Sequence, residues 1–122
     1  MRLYECPVRE TADVIDGKWK PMIVNSLKSG TLRFGQLLRR IPEASRKVLT
    51  EQLRELEREQ IVSRMVFGSR SERVEYSLTK YGLTLVPVLT VMADWGRRHK
   101  TRKRRLAKSR KPTRMPLESR LS

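Results

Sequence analysis

The sequence predicts a mainly α-helical domain with one small β-hairpin, arranged as a winged helix-turn-helix. Three observations carry this. Residues 44–60 read as an amphipathic helix, a three-residue link joins it to the apolar-periodic stretch before it, and after Gln60 the hydrophobic period changes from helical to two.

In the 44–60 stretch Leu49, Leu53 and Leu56 recur at four and three residues, with Val48 beside them, which is the spacing of a helix that buries one stripe. Ser45 is the expected N-cap, because its hydroxyl can accept a backbone N–H that the first turn leaves unpaired. The opposite face begins with Ser45, Arg46, Lys47, Thr50, Glu51 and Arg54. Cations and short hydrogen-bonding groups of this kind reach phosphates and base edges when a helix enters a major groove. The second half carries Glu55, Glu57 and Glu59 and is expected to sit in solvent, away from a polyanion. A surface helix with alternating Lys/Arg and Glu would give part of the same pattern. The segments around it decide between the two.

From the start of the chain, Cys6-Pro7 opens a first helix, with Pro7 where its missing N–H costs nothing. Val8, Ala12 and Ile15, with Val14 beside them, form its stripe, and Gly17 ends it. A second helix runs from Lys18 or Trp19 to Lys28 on the spacing of Trp19, Met22, Ile23 and Leu27. Both helices read as core-forming. Thr31-Leu32-Arg33 is an extended connector or minor strand. Phe34 to Arg40 is a third helix, pointing Phe34, Leu37, Leu38 and Ile41 inward, and Pro42 stops it.

After Gln60, Val62, Arg64 and Val66 alternate with Ser63, Met65 and Phe67; the pattern resumes at Val74–Leu78 after a polar hexapeptide from Gly68 to Arg73. This is a hairpin with a basic tip, and Arg70 and Arg73 are its candidate phosphate or minor-groove contacts. Thr79 then caps a helix expected to run to Arg98 with a kink at Pro87. Its apolar face, Leu85, Val88, Leu89, Met92 and Trp95, is broader than so small a domain can cover, which predicts a twofold homodimer.

The chain's 122 residues carry a net charge of +15. From Arg97 to Ser122 twelve basic residues face one acid, a net +11 that leaves +4 for residues 1–96. The imbalance favours a polyanionic partner, nucleic acid before an acidic membrane surface. Residues 1–99 are expected to be the folded domain and 100–122 a basic, disordered tail, read equally as a solubilising segment or as a DNA-binding arm. Cys6 is the sole cysteine, so no internal disulfide can form and a reducing cytoplasm is the natural compartment. The most apolar window, Leu83 to Ala93, is interrupted by Thr84, Pro87 and Thr90 and is far shorter than a membrane span of about 20 residues. No metal-ligand cluster or phosphate loop is present to hold a cofactor, and the lone histidine, His99, sits among cations. An enzyme is not expected.

Taken together, C-P-V at 6–8, D-G-K-W at 16–19, R-F-G-Q-L at 33–37, I-P at 41–42, S-R-K-V-L-T-E-Q-L-R-E-L-E at 45–57, R-V-E-Y-S-L-T-K-Y-G at 73–82, and P-V-L with D-W-G between 87 and 96 resemble the HxlR-type transcriptional regulators, a winged-helix family related to the MarR type. The resemblance spans roughly Tyr4 to His99. It implies a dimer joined through its first and last helices on a roughly palindromic operator in double-stranded DNA. Arg33 is expected to join Arg70 and Arg73 in holding phosphates or the minor groove. The family's wing carries two prolines where this chain has Ser71 and Glu72, and the basic tail lies outside the pattern. Cys6 precedes the first helix, where unpaired N–H groups and the helix dipole favour an anion and Arg9 is near. Several members of the family sense oxidants or electrophiles with a cysteine at that place, which makes Cys6 a candidate redox sensor. The competing reading is a structural nucleic-acid-binding protein of ribosomal or nucleoid type, its affinity dominated by the tail.

Overall fold

Leucine at 49, 53 and 56 with isoleucine and valine at 23 and 24 requires two helices to face each other, and the computed structural model, which describes residues 5–70 and 72–109, places them so. In order, the elements are α1 (Pro7–Val14), α2 (Trp19–Leu27), β1 (Leu32–Arg33), α3 (Phe34–Arg40), α4 (Arg46–Arg58), β2 (Val62–Phe67), β3 (Arg73–Leu78), α5 (Lys80–Leu83) and α6 (Val86–Ser109). The chain divides between Leu89 and Thr90 into two units.

In the first unit, Ile23, Val24 and Leu27 of α2, Leu37 of α3 and Leu49, Leu53 and Leu56 of α4 make the centre of the core. Leu32, Ile61, Val62 and Tyr76 close it from the sheet side, and Leu89 completes it. The sheet is antiparallel in the order β1-β3-β2, with Leu32 opposite Tyr76 and Arg33 opposite Glu75. β2 and β3 form the hairpin, in register from Val62↔Leu78 to Phe67↔Arg73. Its far end is only partly covered: Met65 and Val66 are exposed, as befits a ribbon that extends past the core.

The turn between α3 and α4 is pinned by burying Ile41 and Ala44, whose N–H donates to the Ile41 carbonyl at 3.0 Å, while Pro42 and Glu43 stay exposed. The Ser45 hydroxyl accepts from the Val48 N–H at 3.1 Å and so starts α4. The exit from α4 is tighter. Gln60 adopts φ 60°, a left-handed conformation that a side chain rarely takes, and Thr79 holds the reversed chain: its N–H donates to the Ile61 carbonyl at 3.0 Å and its hydroxyl to the Gln60 carbonyl at 2.6 Å. Gly82 N–H in turn donates to the Thr79 hydroxyl at 2.8 Å. A Cβ on Gly82 would lie 2.1 Å from the Ile61 carbonyl oxygen, so only glycine lets α5 approach this close.

Several expectations are corrected. α1 buries none of its residues: Val8 is 73% exposed and Ala12 is exposed, while only Val14 and, just past the helix, Ile15 pack on the core. The expected long helix after Thr79 is two helices. α5 ends at Leu83, and Pro87 falls in the first turn of α6, where a missing N–H breaks nothing and no kink is needed. The stretch read as a disordered tail from residue 100 is helical as far as Ser109; the rest of that reading, 110–122, lies outside the described residues. Lys, Arg, Leu and Ala are good helix formers, and extending an existing helix avoids the cost of nucleation. Of α6 only Leu89 is buried. No helix among the described residues is long and apolar enough to cross a membrane.

Candidate nucleic-acid interface

Anchoring by Leu49, Leu53 and Leu56 turns the other side of α4 outward, and Ser45, Arg46, Lys47, Glu51 and Arg54 are exposed there. The Arg46 guanidinium lies 5.5 Å from the centre of the Phe34 ring, which ties the start of α4 to α3 through a cation–π contact. Thr50 is half-buried, and its hydroxyl donates to the Arg46 carbonyl at 2.8 Å. That leaves Thr50 a methyl group and acceptor lone pairs for an incoming partner. Arg33 is exposed at the N-cap of α3, where its own N–H donates to Gln36 Oε1 at 2.8 Å.

Beside α4 the wing contributes a residue that the sequence reading used only as part of a strand pattern. Arg64 of β2 lines a polar recess of about 390 Å³ together with Thr50, Arg54, Glu57 and Tyr76. Two arginines from different elements therefore flank one depression. The available signal was a lone cation in an otherwise apolar alternation immediately after α4. At the other end of the hairpin Arg70 is exposed, and Ser71 lies outside the described residues. Arg73 is already engaged: its Nε pairs with Glu75 Oε2 at 3.1 Å, and its guanidinium stacks 4.5 Å from the Phe67 ring centre. The pairing with Glu75 engages Nε, so a phosphate would be met by the N–H groups of the two terminal nitrogens of Arg73.

Glu55, expected in solvent, is half-buried and paired. Lys20 of α2 is buried, and its Nζ lies 2.5 Å from Glu55 Oε1. The hydrogen bond from Lys20, reinforced by its charge, holds the Glu55 carboxyl below its ordinary range. The pair locks α4 onto α2, so it positions the exposed face rather than forming part of it.

The residues expected on a dimer face separate into two groups. Leu89 is 5% exposed and belongs to the chain's own core, and Leu85 packs partly against that core. Val88, Met92 and Trp95 are exposed, as is Val91. Periodicity defines a face but not which part of it the same chain already covers. Cys6 is the N-cap of α1, half-buried, and its side chain makes no cap hydrogen bond; its carbonyl accepts the Arg9 N–H at 2.9 Å.

A cation-bearing helix held on a helix-turn-helix, with a three-stranded wing beside it, defines a winged helix-turn-helix regulator of transcription. The chain belongs to the HxlR-like helix-turn-helix family, whose pattern it matches over residues 14–104. It is 43% identical to the HTH-type transcriptional regulator YdeP of Bacillus subtilis (strain 168) over 106 residues, 87% of this chain and 83% of that one. Among solved structures it is similar to the redox regulator HypR in its reduced form, with 42% identity, a TM-score of 0.75, and coverage of 78% of this chain and 94% of that one. The reduced form of the transcriptional regulator YodB from B. subtilis matches with 36% identity and a TM-score of 0.65, over 74% of this chain and 89% of that one.

Proposed function

We propose that this transcriptional regulator is a cytoplasmic homodimer that binds a roughly palindromic operator in double-stranded DNA and acts by binding, not by catalysis. The observation that supports it most is the division of α4. Three fully buried leucines fix one side while Arg46, Lys47 and Arg54 stand exposed on the other, and Arg54 shares a polar recess with Arg64. In this reading Thr50 and Arg54 read base edges, Arg46 and Lys47 orient the helix, and Arg33, Arg70 and Arg73 hold backbone phosphates or the minor groove. Exposed Met92 and Trp95 of α6 supply apolar surface for a second copy.

The test is selection of bound duplexes from random DNA, followed by Arg54→Ala and Arg70→Ala. Arg54→Ala is expected to cost about 1–3 kcal/mol and to relax preference at particular base pairs; Arg70→Ala is expected to weaken all sequences alike. Equal losses on selected and random duplexes for both substitutions refute a reading role for α4.

Redox control through Cys6 is the finer part of the proposal. It is supported by the half-buried place of Cys6 at the start of α1 and by the redox regulators among the structural neighbours. With one cysteine per chain, an oxidant that takes up two electrons and two protons leaves a disulfide between two protomers or between Cys6 and a small thiol. Diamide treatment is expected to change operator affinity in wild type and not in Cys6→Ser; the same affinity in treated and untreated wild type removes the sensor role.

A further inference from the structure

Among the described residues, the second unit carries its charge on a helix. From Arg97 to Ser109 the helix holds eight Lys and Arg and no acid. Asp94 is the only acid anywhere in α6, and it reaches Arg97 at 3.7 Å and Arg98 at 3.6 Å. The remaining six cations form no ion pair among the described residues, and every residue from Thr90 to Ser109 is exposed.

Helical periodicity sorts these cations. Arg97, Lys100, Arg104 and Lys108 follow one another at three and four residues, so they form one row along the helix. Val88, Met92, Trp95, His99 and Leu106 recur on the opposite side, with the Trp95 and His99 rings stacked at 4.9 Å. Arg102 and Lys103 flank the apolar row, so it is the four-cation row on the other side that stands clear for a polyanion.

Charge density identifies the polyanion. At about 1.5 Å rise per residue, Arg97 to Lys108 spans about 17 Å. The four cations of the row over that length are about one per 4 Å, close to the one phosphate per about 3.4 Å of axis along a single strand of the duplex. A membrane surface fits less well, because an interfacial helix needs an apolar face to insert and this segment offers only Leu106 and Ala107.

We propose that α6 from Arg97 to Ser109 is a second, sequence-independent DNA contact, its row of Lys100, Arg104 and Lys108 lying along backbone phosphates. This rests on the DNA-binding reading above and adds a site beyond the winged helix. Like-charged neighbours at three and four residues repel one another along the arm, and phosphates neutralise that repulsion. The contact therefore supplies affinity without base preference.

The test compares full-length wild type with the triple variant Lys100→Gln, Arg104→Gln and Lys108→Gln, whose retained helicity is checked by far-UV circular dichroism. Affinity is measured from about 50 to 200 mM salt on the duplex selected by wild type, on a random duplex of equal length, and on phosphatidylcholine vesicles containing phosphatidylserine. The variant is expected to bind both duplexes more weakly by a common factor. Its plot of log affinity against log salt should be flatter by about 3 per protomer, so wild type loses about 40-fold more affinity across that range. Wild-type affinity and slope in the variant overturn the arm, as does a loss confined to the selected duplex or a loss confined to vesicles. If wild type selects no duplex, the operator reading fails, and the slope on random duplex still decides the arm.

Discussion

Gly82→Ala tests the joint between α4, the wing and α5. The added Cβ would sit 2.1 Å from the Ile61 carbonyl oxygen and 3.0 Å from its carbonyl carbon, so a shift of about 1 Å is needed to restore van der Waals contact. The neighbour is backbone and cannot rotate away. Moving it strains the Thr79 N–H bond to Ile61 and the Thr79 hydroxyl bond to Gln60, at 3.0 and 2.6 Å. Overpacking costs about 1–3 kcal/mol, and one weakened hydrogen bond adds about 1 kcal/mol. The better helix propensity of alanine returns at most about 1 kcal/mol. With the propensity gain counted in full, the net expectation is a loss of about 1–3 kcal/mol, or roughly 4–20 °C in Tm for a domain of this size. Thermal and urea unfolding followed by circular dichroism measure it. Gly96→Ala in α6 is the control, because nothing lies within 4 Å of its new Cβ and the helix gains propensity. A Gly82→Ala protein melting within about 3 °C of wild type, below the effect of 1 kcal/mol, would falsify the close-approach argument.

Three further outcomes are expected. The Glu55 carboxyl is held below its ordinary range by Lys20, so the pair stabilises the fold above the unfolded carboxylate range and that contribution fades as pH falls through the lowered value. The urea-midpoint advantage of wild type over Glu55→Gln should therefore be present at neutral pH and shrink below about pH 4.3; an advantage that grows on acidification contradicts the assignment. Gln60 stands at φ 60°, so Gln60→Gly should be neutral or stabilising, whereas Gln60→Val should lose about 1–2 kcal/mol; equal midpoints for the two variants refute strain at this turn. Leu89→Asp, placed in the core, should unfold the domain, while Met92→Asp, on the exposed side of α6, should leave the fold intact and yield a monomer in analytical ultracentrifugation. Met92→Asp sedimenting as a dimer removes α6 from the interface.

What was legible in the sequence was local. The Ser45 cap, the leucine spacing of α4, the stop at Pro42, the change of period after Gln60 and the Thr79 cap each depend on residues within a turn or two of one another, and each appears as read. The family motif V-E-Y-S-L-T-K-Y-G gains a physical reason in the fold, since Thr79 and Gly82 close on the reversal at Gln60 and Ile61. The exposed cations of α4 followed from the same local pattern once its leucines had a core to face.

Tertiary structure decided the rest. The stripes of α1 and α6 look alike in sequence, yet Val8 and Met92 are exposed while Leu89 is in the core, because coverage depends on which distant segment arrives over each turn. Lys20 and Glu55 are ordinary surface residues by composition, and only the packing of α2 on α4 brings them to 2.5 Å. Arg64 joins Thr50 and Arg54 at one recess only because β2 folds back beside α4. The lack of apolar periodicity from Lys100 onward argued for disorder, whereas the helix that begins at Val86 continues to Ser109. Propagation adds one hydrogen bond for each residue fixed, a gain that like-charge repulsion of a few tenths of a kcal/mol per neighbouring pair does not cancel.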